Sequence, residues 1–425
     1  MSHGGLATNH APSFRLIQAH FGLGALGLCA FAAALVGCAP RLEGHHFQPL
    51  LLGLVHLCVL GWLMPIALGA MHQLVPVVFE VPVRSERLAW GALALYAVGT
   101  AGLVGHLWRM ATGLTLVLSA GVLLLALTLY TANLLLTLTG KSRTLSLTGY
   151  FVLCALGWLL TAAGLGFGLA LNLHAPWLPL SHLQLLRTHA HVAALGFFGL
   201  LIMGVAFRLM EMFLLAHGAS ERAGRMALGA LDAGLALLLV HDAFTAPAPL
   251  MALALALLAL GVAAFLVQVR RIWVRRMKRL PDAAWRFTLA SFAYLALALV
   301  LGLVLWAVPL PAGVAQRLVL AYGLIALPGF VGSVVVGQLY KILPFLVWLH
   351  RFSPLVGLKR VPTASQLLPE RPKRAQEWLM HGGLLTLALG IVLVSSSLRT
   401  LGAVAFAASA ALGTRNLWVL VRSQP

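Results

Sequence analysis

The sequence predicts an all-α polytopic membrane protein of about twelve transmembrane helices, grouped as three related sets of four. Three observations predict it. Apolar residues make up 61% of the 425 and charged residues only 9%, with a mean hydropathy of +0.96, a balance found in polytopic membrane proteins and not in soluble domains. Uncharged apolar runs of about 20 residues, enough to cross the hydrocarbon of a bilayer, recur along the whole chain. One sequence pattern also returns at intervals of 135 and 133 residues.

Taken in order, the runs are 14–39, closed by Arg41; 49–78, closed by Arg84 and Arg87; 88–108, closed by Arg109; and 111–137, closed by Lys141 and Arg143. The second set is 147–171, followed by a Pro-, His- and Trp-rich connection to Leu183; 184–214, closed by Arg222 and Arg225; 224–243; and 248–268, closed by the basic run Arg270 to Arg279. The third is 286–308, followed by Arg317; 316–349, followed by the polar segment Arg351 to Arg374; 376–396, followed by Arg399; and 400–421. The repeats therefore cover about 14–140, 147–270 and 286–421 of a single transmembrane domain, residues 1–425.

The net charge of +19 is distributed by loop and not over a face that could follow phosphates, so nucleic acid is not an expected partner. Loops after even-numbered runs hold eighteen Lys and Arg, loops after odd-numbered runs five. By the positive-inside rule both termini and the basic loops face the cytoplasm. The first run has no cleavage site and reads as a retained helix. No segment is long or polar enough for a separate aqueous domain, so an electron donor or substrate carrier must be another polypeptide or a small molecule. The four cysteines show no C-x-x-C or C-x-x-C-H pattern, so neither covalent haem nor a thiolate zinc site is supported, and they read as inert thiols.

The repeated pattern is chemical as well as architectural. His56 is followed by Gly61-Trp62, Gly69 and Leu74; His191 is followed by Gly196-Phe197, Gly204 and Leu209. In the third copy Gly329-Phe330 and Gly337 match, but the histidine position reads Leu324. The shared glycines predict close-packed interior helices, and Pro65, Pro76, Pro328 and Pro344 predict bends. His56 lies roughly 10 Å into its helix from the outer side, where an imidazole is costly unless hydrogen-bonded or metal-bound. Two histidines at one repeat position point to cofactor ligation. His189, two residues before His191, points to the opposite side of the helix and addresses a separate site. His20, His72, His217, His350 and His381 map near the inner surface and are expected to be solvated or interfacial. Asp232, Lys341, Glu211 and Arg208 are ionisable groups inside the membrane, read either as a proton path through Lys341 or Asp232 or as structural pairs, Glu211 with Arg208 among them.

Twelve spans, the threefold repeat and histidines in the outer third of spans 2 and 6 resemble the catalytic subunit (subunit I) of haem-copper oxidases and the related nitric oxide reductases. The run Leu63-Met-Pro-Ile-Ala-Leu-Gly-Ala-Met-His-Gln-Leu-Val-Pro76 is similar to that family's second helix, and His56 stands where the family's low-spin haem ligand stands. The resemblance implies a haem-binding redox protein in electron transfer or in chemistry on O2 or NO, and an oxidoreductase if it turns over. The two repeat-related histidines lead to the expectation of haem b held by His56 and His191, its propionates met by Arg187, Trp177 and His182, and of copper or a second iron at His189 and His241. The resemblance further implies a bacterial inner membrane location among lipid, with respiratory-complex subunits or a periplasmic electron donor as partners. The sequence departs from the family in span 10, which carries no histidine between Arg317 and Trp348, and in span 7, which offers only His241. Alternatives are a non-catalytic subunit or assembly factor, with copper at the rim histidines His45, His46, His174 and His182, and a transporter, although transporters repeat in halves and not in thirds.

Overall fold

The structure, a computed structural model, describes residues 10, 12–139, 145–178, 180–216, 218–277 and 282–424. Lys141, Arg143, His217, Lys278 and Arg279, placed above on the inner side, lie outside them. The described residues form twelve long helices: α1 (Phe14–Cys38), α2 (Pro49–His56, Leu57–Leu63 and Met64–Phe79 in continuity), α3 (Glu86–Arg109), α4 (Leu114–Thr139), α5 (Leu147–His174), α6 (His182–Phe213), α7 (Arg222–Phe244), α8 (Ala248–Val274), α9 (Ala283–Ala307), α10 (Ala312–Arg351), α11 (Glu370–Val392) and α12 (Ser396–Arg422). Eleven are long and apolar enough to cross a membrane. The twelfth, α11, starts earlier than the hydropathy suggests. Its first two turns take in Glu370, Arg371, Lys373, Arg374 and Glu377, so part of the polar segment read as a loop is helix.

Local chemistry sets the ends. Ser85, Ser146, Asp282 and Ser395 each accept a backbone N–H from the first turn of α3, α5, α9 and α12, at 3.2 to 3.3 Å, satisfying a donor that the helix cannot. Met110 and Thr245 close α3 and α7 in the left-handed region, at φ 50° and 47°. Pro76 and Pro344 sit inside helical segments that continue past them, with their neighbouring helices supplying the packing.

The chain divides into two compact units. One is Met71–Leu280 with the segment ending at Leu16, and contains α3 to α8. The other is Ile17–Ala70 with Pro281–Pro425, and contains most of α1, the N-terminal part of α2 and α9 to α12. In the second unit the helix ends are tied by buried polar contacts. Arg399 donates to the carbonyls of Leu42 and Pro40, each at 2.9 Å. Toward the other end, Tyr340 donates to Gln376, Asn416 donates to the Tyr340 hydroxyl at 2.8 Å, and Arg286 Nε donates to Glu377 at 2.7 Å.

The predicted interior helices are the most buried. Of the most apolar window, 72% is buried in α2 and α6 and 56% in α10, against 33 to 44% in the other spans. The shared glycines explain how. A side chain at Gly69 would strike His20 and Phe21 of α1; at Gly204, Phe151 of α5; at Gly337, Phe287 of α9. One helical layer outward, Gly61 meets Gly27 of α1, Gly196 meets Trp158 of α5 and Gly329 meets Tyr294 of α9. In each repeat the first helix thus packs into two glycine notches of the second, eight residues apart, with side chains at every notch except Gly61, where the backbone of Gly27 approaches. Burial also overturns one expectation. His20 and His72, read as solvated or interfacial, are 1% and 0% exposed. The His20 ring packs against Gly69, and the His72 ring stands edge-on to Tyr130 with centroids 4.8 Å apart, so the face that each presents, and not its depth, sets its burial.

Candidate functional site

The three pattern copies share a backbone feature that hydropathy does not reveal. Immediately after His56, His191 and Leu324 the helix widens into a π turn, over Leu57–Leu63, Val192–Gly199 and Ile325–Gly332. In such a turn the N–H of one residue reaches the carbonyl five residues back, as Met64 does to Val59 and Leu200 to Leu195. The spacing of five between histidine and glycine is the spacing of one π turn. A widened turn spoils regular helix bonding and recurs at functional sites, so its presence three times at one repeat position marks that position.

Both imidazoles are held in the same way. His56 Nδ1 bonds the Leu52 carbonyl and His191 Nδ1 bonds the Arg187 carbonyl, each at 2.8 Å and four residues back. A carbonyl only accepts, so Nδ1 carries the proton and Nε2 the lone pair. His106 and His350 make the same local bond, to Gly102 and Leu346, so the bond alone is not diagnostic. The π turn and the repeat position distinguish His56 and His191. The two belong to different units, and the geometry bears on each separately.

Near His191 the structure joins two of the predicted residues, Arg187 and His241, through one carboxylate. Arg187 grips Asp242 with a guanidinium fork, Nε to Oδ2 at 3.3 Å and Nη2 to Oδ1. Thr188 Oγ1 donates to the same carboxylate at 2.5 Å, and His241 Nδ1 bonds it at 2.9 Å. Asp242 is fully buried, while the Arg187 side chain keeps 43% of its surface. His189 points the other way, as its spacing required: its Nδ1 bonds the Ala162 carbonyl of α5 at 3.0 Å. His189 and His241 thus have different partners. The connection between α5 and α6 is ordered by Asn172, which accepts the N–H groups of Trp177 and Leu178 at 3.2 and 3.1 Å and bonds His182 Nδ1 at 3.2 Å. Trp177 is exposed there, its indole N–H to the Gly168 carbonyl at 3.4 Å.

Asp242, Thr188 and Asn172 were not singled out from sequence. The one available signal was an acidic residue within a span beside His241. Within the spans, the Trp158 indole donates to Asp232 at 2.8 Å, while Lys341 pairs with Asp282 at the start of α9. Arg208 is exposed and lines a shallow apolar depression with Thr148 and Leu209. Among the described residues no group of three or more His, Cys, Asp or Glu is placed to hold one metal ion. The cysteines are free: Cys38 and Cys58 are buried, but Cys29, expected to be buried, is exposed on an apolar helix.

No protein-family profile and no curated protein matches the sequence. A search of solved structures matches the chain to one in the cryo-EM structure of a heme-copper terminal oxidase dimer, with a TM-score of 0.69 over 96% of this chain and 84% of that one, at 13% sequence identity. The chain has the fold of a haem-copper terminal oxidase. It is an all-α, multi-pass membrane protein of that architecture. Haem iron fits the donors present, since His56 and His191 are each in the tautomer whose Nε2 binds metal. In the third copy this oxidase fold presents Leu324 at the equivalent place, so α10 offers no imidazole there.

Proposed function

We propose that the protein is a haem-binding redox protein of the membrane, acting in electron transfer or in chemistry on O2 or NO, with His56 and His191 as candidate iron ligands. One observation carries the reading. Within an oxidase fold, two repeat-related imidazoles with their Nδ1 protons committed to backbone carbonyls stand at the mouth of equivalent π turns. Bound haem b would supply one-electron chemistry at its iron. The chain's own part is to hold each imidazole in one tautomer and to keep water away with buried rings, Trp62 beyond His56 and Phe197 and Phe198 beyond His191.

Arg187 spends its fork on Asp242 but retains its Nη1 donors and part of its surface, which supports a propionate contact; Trp177 and His182 lie on the connection leading into α6. Support for copper or a second iron rests on His189, whose Nδ1 bond leaves Nε2 the basic nitrogen, and on His241 beside Asp242. The lack of a three-ligand group among the described residues favours, as a second reading, a haem-bearing subunit without turnover. Lipid, respiratory-complex subunits and an electron donor on the outer side are the partners that fit, with the basic loops and both termini in the cytoplasm of a bacterial inner membrane.

Spectra of the purified protein, oxidised and dithionite-reduced, test this directly. A Soret band is expected, lost or displaced in His56→Ala or in His191→Ala. A protein without the band, or a band indifferent to both substitutions, sinks the reading.

A further inference from the structure

The end of α7 is joined to the start of α6 by a charge pair, buried at its carboxylate and partly exposed at its guanidinium, that the tautomer of His191 does not require. Asp242 receives Arg187 Nε at 3.3 Å, Arg187 Nη2, Thr188 Oγ1 at 2.5 Å and His241 Nδ1 at 2.9 Å, with no surface of its own exposed. Arg187 is also the residue whose carbonyl accepts the His191 Nδ1 proton. The repeat provides an internal control. His56 donates to the Leu52 carbonyl at the same 2.8 Å, and Leu52 has no polar side chain with which to recruit a carboxylate. A backbone carbonyl therefore suffices to select the tautomer. The carboxylate and guanidinium at His191 add something else: a fixed charge pair, made by the side chain of the residue whose carbonyl holds the imidazole and closed by a fully buried carboxylate.

We propose that Asp242 is a positioning residue that sets the redox potential of iron held by His191, through the negative charge that it places against Arg187. The proposal rests on the haem reading above. Removing the carboxylate's charge leaves the guanidinium uncompensated, which favours the iron state of lower positive charge, the reduced one.

The test is a redox titration of the purified full chain, followed at the Soret band, for wild type, D242N, D242E and T188V. D242N is expected to keep the band and shift its midpoint to more positive potential. D242E, which keeps the charge, is expected to hold the wild-type midpoint, and T188V, which removes a hydrogen bond but no charge, to leave it unmoved. A D242N midpoint equal to wild type, or a T188V shift as large as that of D242N, overturns the proposal. D242E carries the test if D242N does not accumulate, because a displaced midpoint in the charge-conserving variant also overturns it. A wild-type band that depends on His191 with no response to Asp242 defeats this proposal alone. Absence of any band defeats the haem reading and this proposal with it.

Discussion

His45 and His46, on the connection between α1 and α2, show how residue-level geometry narrows the chemistry. Their rings stack with centroids 4.2 Å apart and planes 28° from parallel, and His45 Nδ1 accepts the Phe47 N–H at 3.1 Å. Ring lone pairs lie in the ring planes, so stacked imidazoles do not converge on one ion, which weakens the alternative of copper at the rim. Burial, and then the charge on His45, hold the His46 imidazole below its ordinary value. Replacing His45 with Ala removes both the repulsion and the stacked ring, each of which lowers the value, so the His46 midpoint is expected to rise, as read by NMR titration of its ring protons. A midpoint that stays or falls would show that the neighbour's charge is not felt. The same scale explains Asp232, a carboxylate within a span that accepts the Trp158 indole N–H at 2.8 Å and so does not lie unsatisfied in a medium without water.

At the scale of the helix, the repeated glycines are where sequence becomes packing. Gly204 faces the Phe151 ring so closely that even a methyl group cannot be added without movement, whereas Gly157 of α5 has nothing within 4 Å of such a group. Gly204→Ala is therefore expected to destabilise the protein by about 1–3 kcal/mol through overpacking. Gly157→Ala is expected to be neutral or to stabilise by up to about 1 kcal/mol through helix propensity. Thermal unfolding in detergent, compared between the two variants, decides the matter. Equal midpoints would mean that the notch is not the contact that holds α6 against α5. The π turns belong to this scale too, because a widened turn alters which residues share a face over the following residues, and it does so in all three repeats.

Over the whole molecule, orientation follows from charge. Eighteen basic residues in one set of loops and five in the other predict a cytoplasmic side that includes Arg360 and an outer side that includes Trp177, both exposed. In a background with the native cysteines replaced, Trp177→Cys is expected to react with a membrane-impermeant maleimide in intact cells. Arg360→Cys is expected to react only after permeabilisation. The reverse pattern would invert the chain and move His56 and His191 to the cytoplasmic third. The threefold repeat persists at this scale as a threefold recurrence of helix, glycine notches and π turn, with the histidine present in two copies of the three.

The sequence alone determined the class, the spans and the repeat. Hydropathy reads the solvent directly, and a bilayer demands long helices whatever their partners. It located His56 and His191 because a repeat preserves spacing, and it separated His189 from His191 because the helical period is local. Asp242 escaped it, since nothing local links a carboxylate on α7 to Arg187 and Thr188, 55 and 54 positions earlier. The burial of His20 and His72 escaped it as well, because depth along a helix says nothing about which face is packed. The polar start of α11 was misread as loop because charge was taken for the end of the helix, when helical hydrogen bonding continues wherever capping and neighbours allow. Which nitrogen of each imidazole is committed, and what stands behind it, only the tertiary structure decided, because those contacts depend on how helices distant in sequence are brought side by side.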